Sequence, residues 1–136
     1  MEITYKTDVE GVDWAEMRDR LIEDDFHNGR SLEQYEKSFR NTYAVCLAYA
    51  EGKIIGTVRA LSDGVCNAYI VDVWTYTPYR RQGVAKRMME LTLEQLPGQH
   101  VYLWTDDMMA FYEGIGMERD ESVGFRKVVG DWLVNK

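Results

Sequence analysis

Arg80, Arg81, Lys86 and Arg87 put four cationic groups into eight consecutive residues with no acid among them. Between them lie Gln82-Gly83-Val84-Ala85, so the spacing reads Arg-x-x-Gly-x-Ala. The apolar run Val71-Asp72-Val73-Trp74-Thr75 precedes this stretch, and a helical pattern follows it, with Val84, Met88 and Leu91 on one face. A strand, a short loop and a helix start are therefore expected here. A helix start exposes about four unbonded amide groups and a partial positive charge. Gly83 and Ala85 lack bulky side chains, so an anion can approach the backbone closely, and the flanking cations add to its attraction. The chemistry implied is phosphate binding. No Gly-Lys-Ser/Thr follows and no G-x-G-x-x-G occurs, so neither a P-loop nor a dinucleotide fingerprint is present.

The rest of the chain has the opposite charge. The 136 residues carry a net charge of −7, and outside the cationic window 12 basic against 23 acidic residues leave −11. An acidic body with one basic spot repels nucleic-acid backbones and favours cationic small molecules, with a local anion at the spot. The length predicts one domain over residues 1–136. Residues 41–50 form a charge-free run of ten, about half a membrane span, and no membrane helix is expected. The first residues, Met-Glu-Ile-Thr-Tyr-Lys, do not read as a secretion signal, so a cytoplasmic protein is expected. Cys46 and Cys66, with His27 and His100, are too few for a disulfide framework or a metal centre.

Elements must position the cationic loop, and the pattern supplies them. Glu2-Ile3-Thr4-Tyr5-Lys6 alternates as a half-buried strand. Asp13 with Glu16, and Ser31 with Gln34, carry capping-box spacings that open helices over about residues 13–24 and 31–40. Residues 42–49 and 54–61 flank Glu51-Gly52-Lys53 as a hairpin, and residues 68–75 form the next strand. A helix is expected from Gly83 to about Leu96, stopped by Pro97-Gly98, then a strand over 100–104. Asp106 or Asp107 is expected to cap a last helix through Tyr112, and residues 125–129 and 132–134 supply late strand material. The result is a mixed α/β order with helices on one sheet.

Arg80-Arg81-Gln82-Gly83-Val84-Ala85 resembles the acetyl-CoA pyrophosphate loop of the GNAT acetyltransferase superfamily, and Phe111-Tyr112-Glu113-Gly114-Ile115-Gly116-Met117 resembles that family's F-Y-E-x-x-G-[FM] signature. The element order matches over essentially the whole chain. The resemblance implies an α/β GNAT fold: a mixed, mostly antiparallel sheet of six to seven strands, splayed between the fourth and fifth, with about four helices. It implies acetyl-CoA as cofactor in that cleft, with backbone groups of Val73, Trp74 and Thr75 toward the pantetheine arm. Arg80, Arg81, Gln82, Gly83, Val84, Ala85 and Lys86 would hold the pyrophosphate. Many relatives carry Asn just after the fifth strand where this chain has Thr105-Asp106-Asp107, so Asp106 is either a cofactor contact or a helix cap.

Acetyl transfer to an amine needs the ammonium deprotonated, the thioester oxyanion stabilised and the thiolate protonated. Tyr112 matches the family's general acid, and a backbone amide near Val73 or Trp74 is the expected oxyanion donor. Asp72 is a candidate base or amine anchor; the alternative is a structural acceptor paired with Arg59. The acidic run Glu23-Asp24-Asp25 is either a substrate-recruiting rim or a solvated helix end. The reaction implied is direct transfer to a primary amine of a small cationic substrate. The other readings are an acyl-CoA-binding module without turnover and a protein or peptide N-acetyltransferase. No nucleic-acid or membrane partner is expected, and a homodimer is possible through residues 124–132.

Overall fold

A computed structural model describes residues 2–129. Its elements run β1 (Ile3–Lys6), α1 (Trp14–Glu23), α2 (Leu32–Arg40), β2 (Ala44–Ala50), β3 (Lys53–Ser62), β4 (Asn67–Thr75), a 3-10 turn at Thr77–Tyr79, α3 (Val84–Leu93), β5 (His100–Tyr102) and α4 (Met109–Gly114). The five strands lie side by side in chain order. The first four are antiparallel, and β5 runs parallel to β4.

Both early helices start where their caps dictate. The Asp13 carboxylate accepts from the Glu16 amide at 3.0 Å. Ser31 and Gln34 satisfy each other's backbone amides at 3.2 and 2.9 Å, a complete capping box. Strand alternation then sorts the core onto two faces. Cys46, Ala48, Val58, Ala60 and Ile70 pack against Val84, Met88 and Met89 of α3. Val45, Leu47, Ile54 and Trp74 pack on the other side against Met17 and Leu21 of α1 and Tyr35 and Phe39 of α2.

Gly56 marks a close approach of α3 to the sheet. A Cβ there would lie 2.8 Å from Met88 Cε and 3.1 Å from the Trp74 carbonyl oxygen. Met88 can swing away, but the backbone carbonyl cannot. Gly56→Ala is expected to destabilise the fold by about 1–2 kcal/mol, read as a lower urea midpoint; an unchanged midpoint would show that β4 yields freely.

Among the described residues the sheet has five strands, where six to seven were expected. Residues 125–129 hold no regular structure, with Phe125 94% exposed, and residues 132–134 lie outside the described residues. β-Propensity alone does not make a strand; a paired edge must complete its backbone hydrogen bonds. β5 offers only three residues. Nor does Asp106 or Asp107 cap α4: its N-cap position is Met108 with no side-chain cap, and the Thr105 hydroxyl accepts from the amides of Asp107 and Met108, at 3.4 and 3.1 Å, in the loop that leads into it. No helix among the described residues is long and apolar enough to cross a membrane.

Candidate functional site

The sheet opens where chemistry was expected. β4 pairs with β5 only at Asn67–His100, Ala68–Val101 and Tyr69–Tyr102; from residue 70 to Thr75 it stays paired with β3, and its other edge has no strand partner among the described residues. Its register with β3 also slips, Thr57 facing Trp74 but Arg59 facing Val71, so β4 carries an extra residue. Asp72 sits in that bulge at φ +54°, in the left-handed region. The bulge changes which side chains face which layer. Ala68 and Ile70 face α3 before it; after it Val73 turns to α3, and Trp74 enters the core beneath α1. The Tyr76 amide donates back to Ile55 of β3 at 2.8 Å, so the Thr75 amide and carbonyl point to the open edge.

Asp72 itself faces α1 and α2. Its Oδ1 and Oδ2 accept from the two terminal nitrogens of Arg30 at 2.9 and 3.1 Å, and Oδ2 also accepts from Arg59 Nε at 2.6 Å. Arg30, the one buried charged residue among the described residues, also donates from Nε to Asn28 at 2.8 Å and lies 4.3 Å from the Tyr35 ring centre. Burial works to raise the Asp72 pKa, but the Arg30 and Arg59 guanidiniums outweigh it and hold the carboxyl below its usual range. The expected partnership with Arg59 is present. The role of base or amine anchor is not what this geometry favours, since both oxygens are already bonded and the proton affinity has been lowered. Arg30, which the sequence did not single out, belongs to the same cluster.

The cationic loop caps the open edge. Arg81 (φ +65°) and Gly83 (φ +81°) turn the chain into α3, and no side chain caps its start. The first helical bond there runs from the Arg87 amide to the Gly83 carbonyl at 3.0 Å, which leaves the amides of Val84, Ala85 and Lys86 without helical partners. A Cβ on Gly83 would meet no atom within 4 Å, so the approach is clear. Arg81, Gln82 and Lys86 are exposed around it, and Arg87 pairs with Glu90 at 3.3 Å. The Thr75 hydroxyl, nearby in sequence, is buried without a hydrogen-bond partner. Free amides, unspent cations and an orphaned hydroxyl fit a diphosphate-bearing ligand lying along β4.

Arg80 is turned inward. Its Nε donates to the Thr75 carbonyl at 3.0 Å, and a terminal nitrogen lies 3.7 Å from Asp24 Oδ2. Asp24 is neither a recruiting rim nor a solvated helix end, because its side chain is only 8% exposed. The same oxygen accepts from the Trp74 indole at 2.9 Å and the Thr77 amide at 3.1 Å, tying the end of α1 to the end of β4. Its neighbour Glu23 accepts the Tyr76 hydroxyl, whose ring lies 4.2 Å from the Arg20 guanidinium. Of that acidic run only Asp25 has no such tie.

Tyr112 is half-buried on α4, packed edge-on against Phe111 at 4.9 Å and against the α3-side core. Burial and then the Asp107 carboxylate push its phenol pKa up, so it holds its proton through neutral pH. It also lines a cavity of about 550 Å³ beside Leu103, Trp104, Met109 and Met117; no residue of the cationic loop reaches that space. Asp106 is exposed on the loop before α4. Burial pushes the Cys46 thiol up to about 12, which leaves it inert.

The arrangement of cleft, loop and helix has counterparts among known proteins. Residues 10–117 match the family model described as the acetyltransferase (GNAT) family. A Deinococcus radiodurans R1 protein, described as a candidate acetyltransferase, superposes with a TM-score of 0.79 at 27% identity over 92% of this chain and 88% of its own. Glucosamine-6-phosphate N-acetyltransferase from Arabidopsis thaliana shares the fold at a TM-score of 0.71 and 18% identity, over 96% of this chain and all of its own. GCN5-related N-acetyltransferase 2, chloroplastic, from the same plant is 35% identical over 74 residues, covering 52% of this chain; the match spans 29% of that relative's length. With the family model spanning most of the chain, the protein belongs to the GNAT acetyltransferase family.

Proposed function

We propose that this chain is an acetyl-CoA-dependent N-acetyltransferase that moves the acetyl group directly to a primary amine of a small cationic substrate. The observation that carries the reading is the β5-side edge of β4, which from residue 70 to Thr75 has no strand partner among the described residues and ends at the cationic loop. An extended arm with two amides can pair there as an added strand does. Acetyl-CoA supplies an activated thioester when bound.

The residues divide the work as follows. Backbone groups of Val73 and Thr75 hold the arm in line, and an amide near Val73 or Trp74 stabilises the oxyanion. The amides of Val84, Ala85 and Lys86, with Arg80, Arg81 and Gln82 around them, hold the diphosphate. The amine nitrogen would attack the thioester carbonyl carbon as the carbon–sulfur bond breaks, the Tyr112 hydroxyl would give its proton to the departing thiolate, and the proton released by the nitrogen would pass to solvent or back to the Tyr112 phenolate. Its raised pKa supports that role, since an acid must arrive protonated. Asp72 holds the bulge that aims these backbone groups and so acts as a positioning residue. Asp106 stands where relatives carry a cofactor contact, and its exposure leaves it free to make one.

Calorimetric titration with acetyl-CoA tests the reading. The wild type is expected to bind, and the Arg80→Ala/Arg81→Ala double variant to bind at least about tenfold more weakly, since each charge-assisted contact to phosphate is worth roughly 1.5–3 kcal/mol. Thiol release across a panel of amines then separates an enzyme from a binding module. No binding by the wild type would overturn the proposal.

A further inference from the structure

Two guanidiniums share one carboxylate beside the β4 bulge. Arg30 alone satisfies Asp72, with one terminal nitrogen on each oxygen at 2.9 and 3.1 Å. Arg59 Nε adds a further bond to Oδ2 at 2.6 Å, so the cluster holds one positive charge in excess. Among the described residues no second carboxylate pairs with either arginine. The other donors of Arg59 are poorly used. Nη1 reaches the Ser38 carbonyl and the Thr42 hydroxyl only at 3.4 and 3.5 Å, and Nη2 makes no hydrogen bond among the described residues. A largely buried cation with idle donors is costly until an anion completes it.

The space beside Arg59 is open. Arg59 stands opposite Val71 across β3 and β4, and the next pair on that face is Leu61 with Tyr69, 39% and 40% exposed. The cover given by α1 and α2 therefore stops at Arg59, and its guanidinium borders bare sheet. Val73, near the amide assigned to the oxyanion, is two residues along β4 from Val71, about 7 Å of strand. We propose that Arg59 anchors a carboxylate of the acetyl acceptor, which makes the acceptor an amino acid rather than a simple amine. The proposal rests on the acetyltransferase reading above and narrows its substrate class. Nε keeps its bond to Asp72, and the Nη1–Nη2 edge offers the planar fork that matches a carboxylate. An α-amino acid held there has its nitrogen one hydrogen bond and three covalent bonds from Nη2, a reach on the scale of the gap to Val73. Its ammonium still suits the acidic body, and its carboxylate meets the surplus charge.

Acceptor pairs that differ only by the carboxylate test this: phenylalanine against 2-phenylethylamine, and lysine against cadaverine, each followed by thiol release from acetyl-CoA. The wild type is expected to favour the amino acid of each pair by about tenfold in kcat/KM, the scale of one charge-assisted contact. Arg59→Gln leaves Asp72 neutralised by Arg30 and is expected to erase that preference. It should raise KM for the amino acids about tenfold and leave both simple amines within about twofold. Arg59→Lys keeps the charge without the fork and should recover part of the preference. A wild type that favours the simple amines, or treats both members of a pair alike, overturns the proposal without recourse to any variant. Arg59→Gln slowing both members equally would reduce Arg59 to a structural partner of Asp72 and overturn it too. Acetyl-CoA bound in calorimetry with none of the four acceptors acetylated removes this inference and leaves the cofactor site standing. Acetyl-CoA left unbound removes the acetyltransferase reading and this inference with it.

Discussion

Asp72→Asn is expected to destabilise the protein by about 3 kcal/mol or more, the scale of breaking a buried ion pair by removing one partner. The substitution leaves Arg30 and Arg59, with side chains 6% and 12% exposed, without their shared counter-charge. Asparagine tolerates the left-handed backbone of the bulge better than most residues, so the loss reports the electrostatics rather than strain at φ +54°. The pH dependence has a definite sign. The folded Asp72 pKa lies below its unfolded value near 3.9, so its contribution is complete above about pH 4 and disappears as pH falls through the folded pKa. Urea unfolding should therefore show a wide gap between wild type and Asp72→Asn at pH 7, narrowing in acid. A gap of less than about 1 kcal/mol at pH 7 would show that Arg30 and Arg59 find other partners.

Tyr112→Phe is the second large effect. As the proposed general acid, Tyr112 is expected to account for about a hundredfold in kcat, within the usual range for proton transfer to a leaving group. Its ring packing against Phe111 is preserved in phenylalanine, so acetyl-CoA binding and the unfolding midpoint should stay near wild type. A fall in kcat with both of these unchanged separates chemistry from structure. Full activity at every pH would reduce Tyr112 to a packed aromatic. In wild type the raised phenol pKa should extend the active range on the alkaline side beyond that of an ordinary tyrosine near 10.

Sequence alone determined the elements whose signals are local. The caps at Asp13 and Ser31, the hairpin at Glu51-Gly52-Lys53 and the strand–loop–helix around Gly83 were legible because a hydrogen bond or a φ angle within four residues fixes each. The two family motifs were legible for the same reason, being short and contiguous. Tertiary structure decided what depends on distant partners. Arg30 sits in a loop with no periodic signal, and only the fold brings it to Asp72, 42 residues away. Asp24 looked like the charged end of a helix, but the Trp74 indole and the Thr77 amide, 50 and 53 residues on, draw it inward. The bulge at Asp72 is invisible to alternation, since an extra residue reverses the phase of every side chain after it. Residues 125–129 have the composition of a strand and none of the pairing, because a strand is completed by its neighbour's edge and not by its own residues.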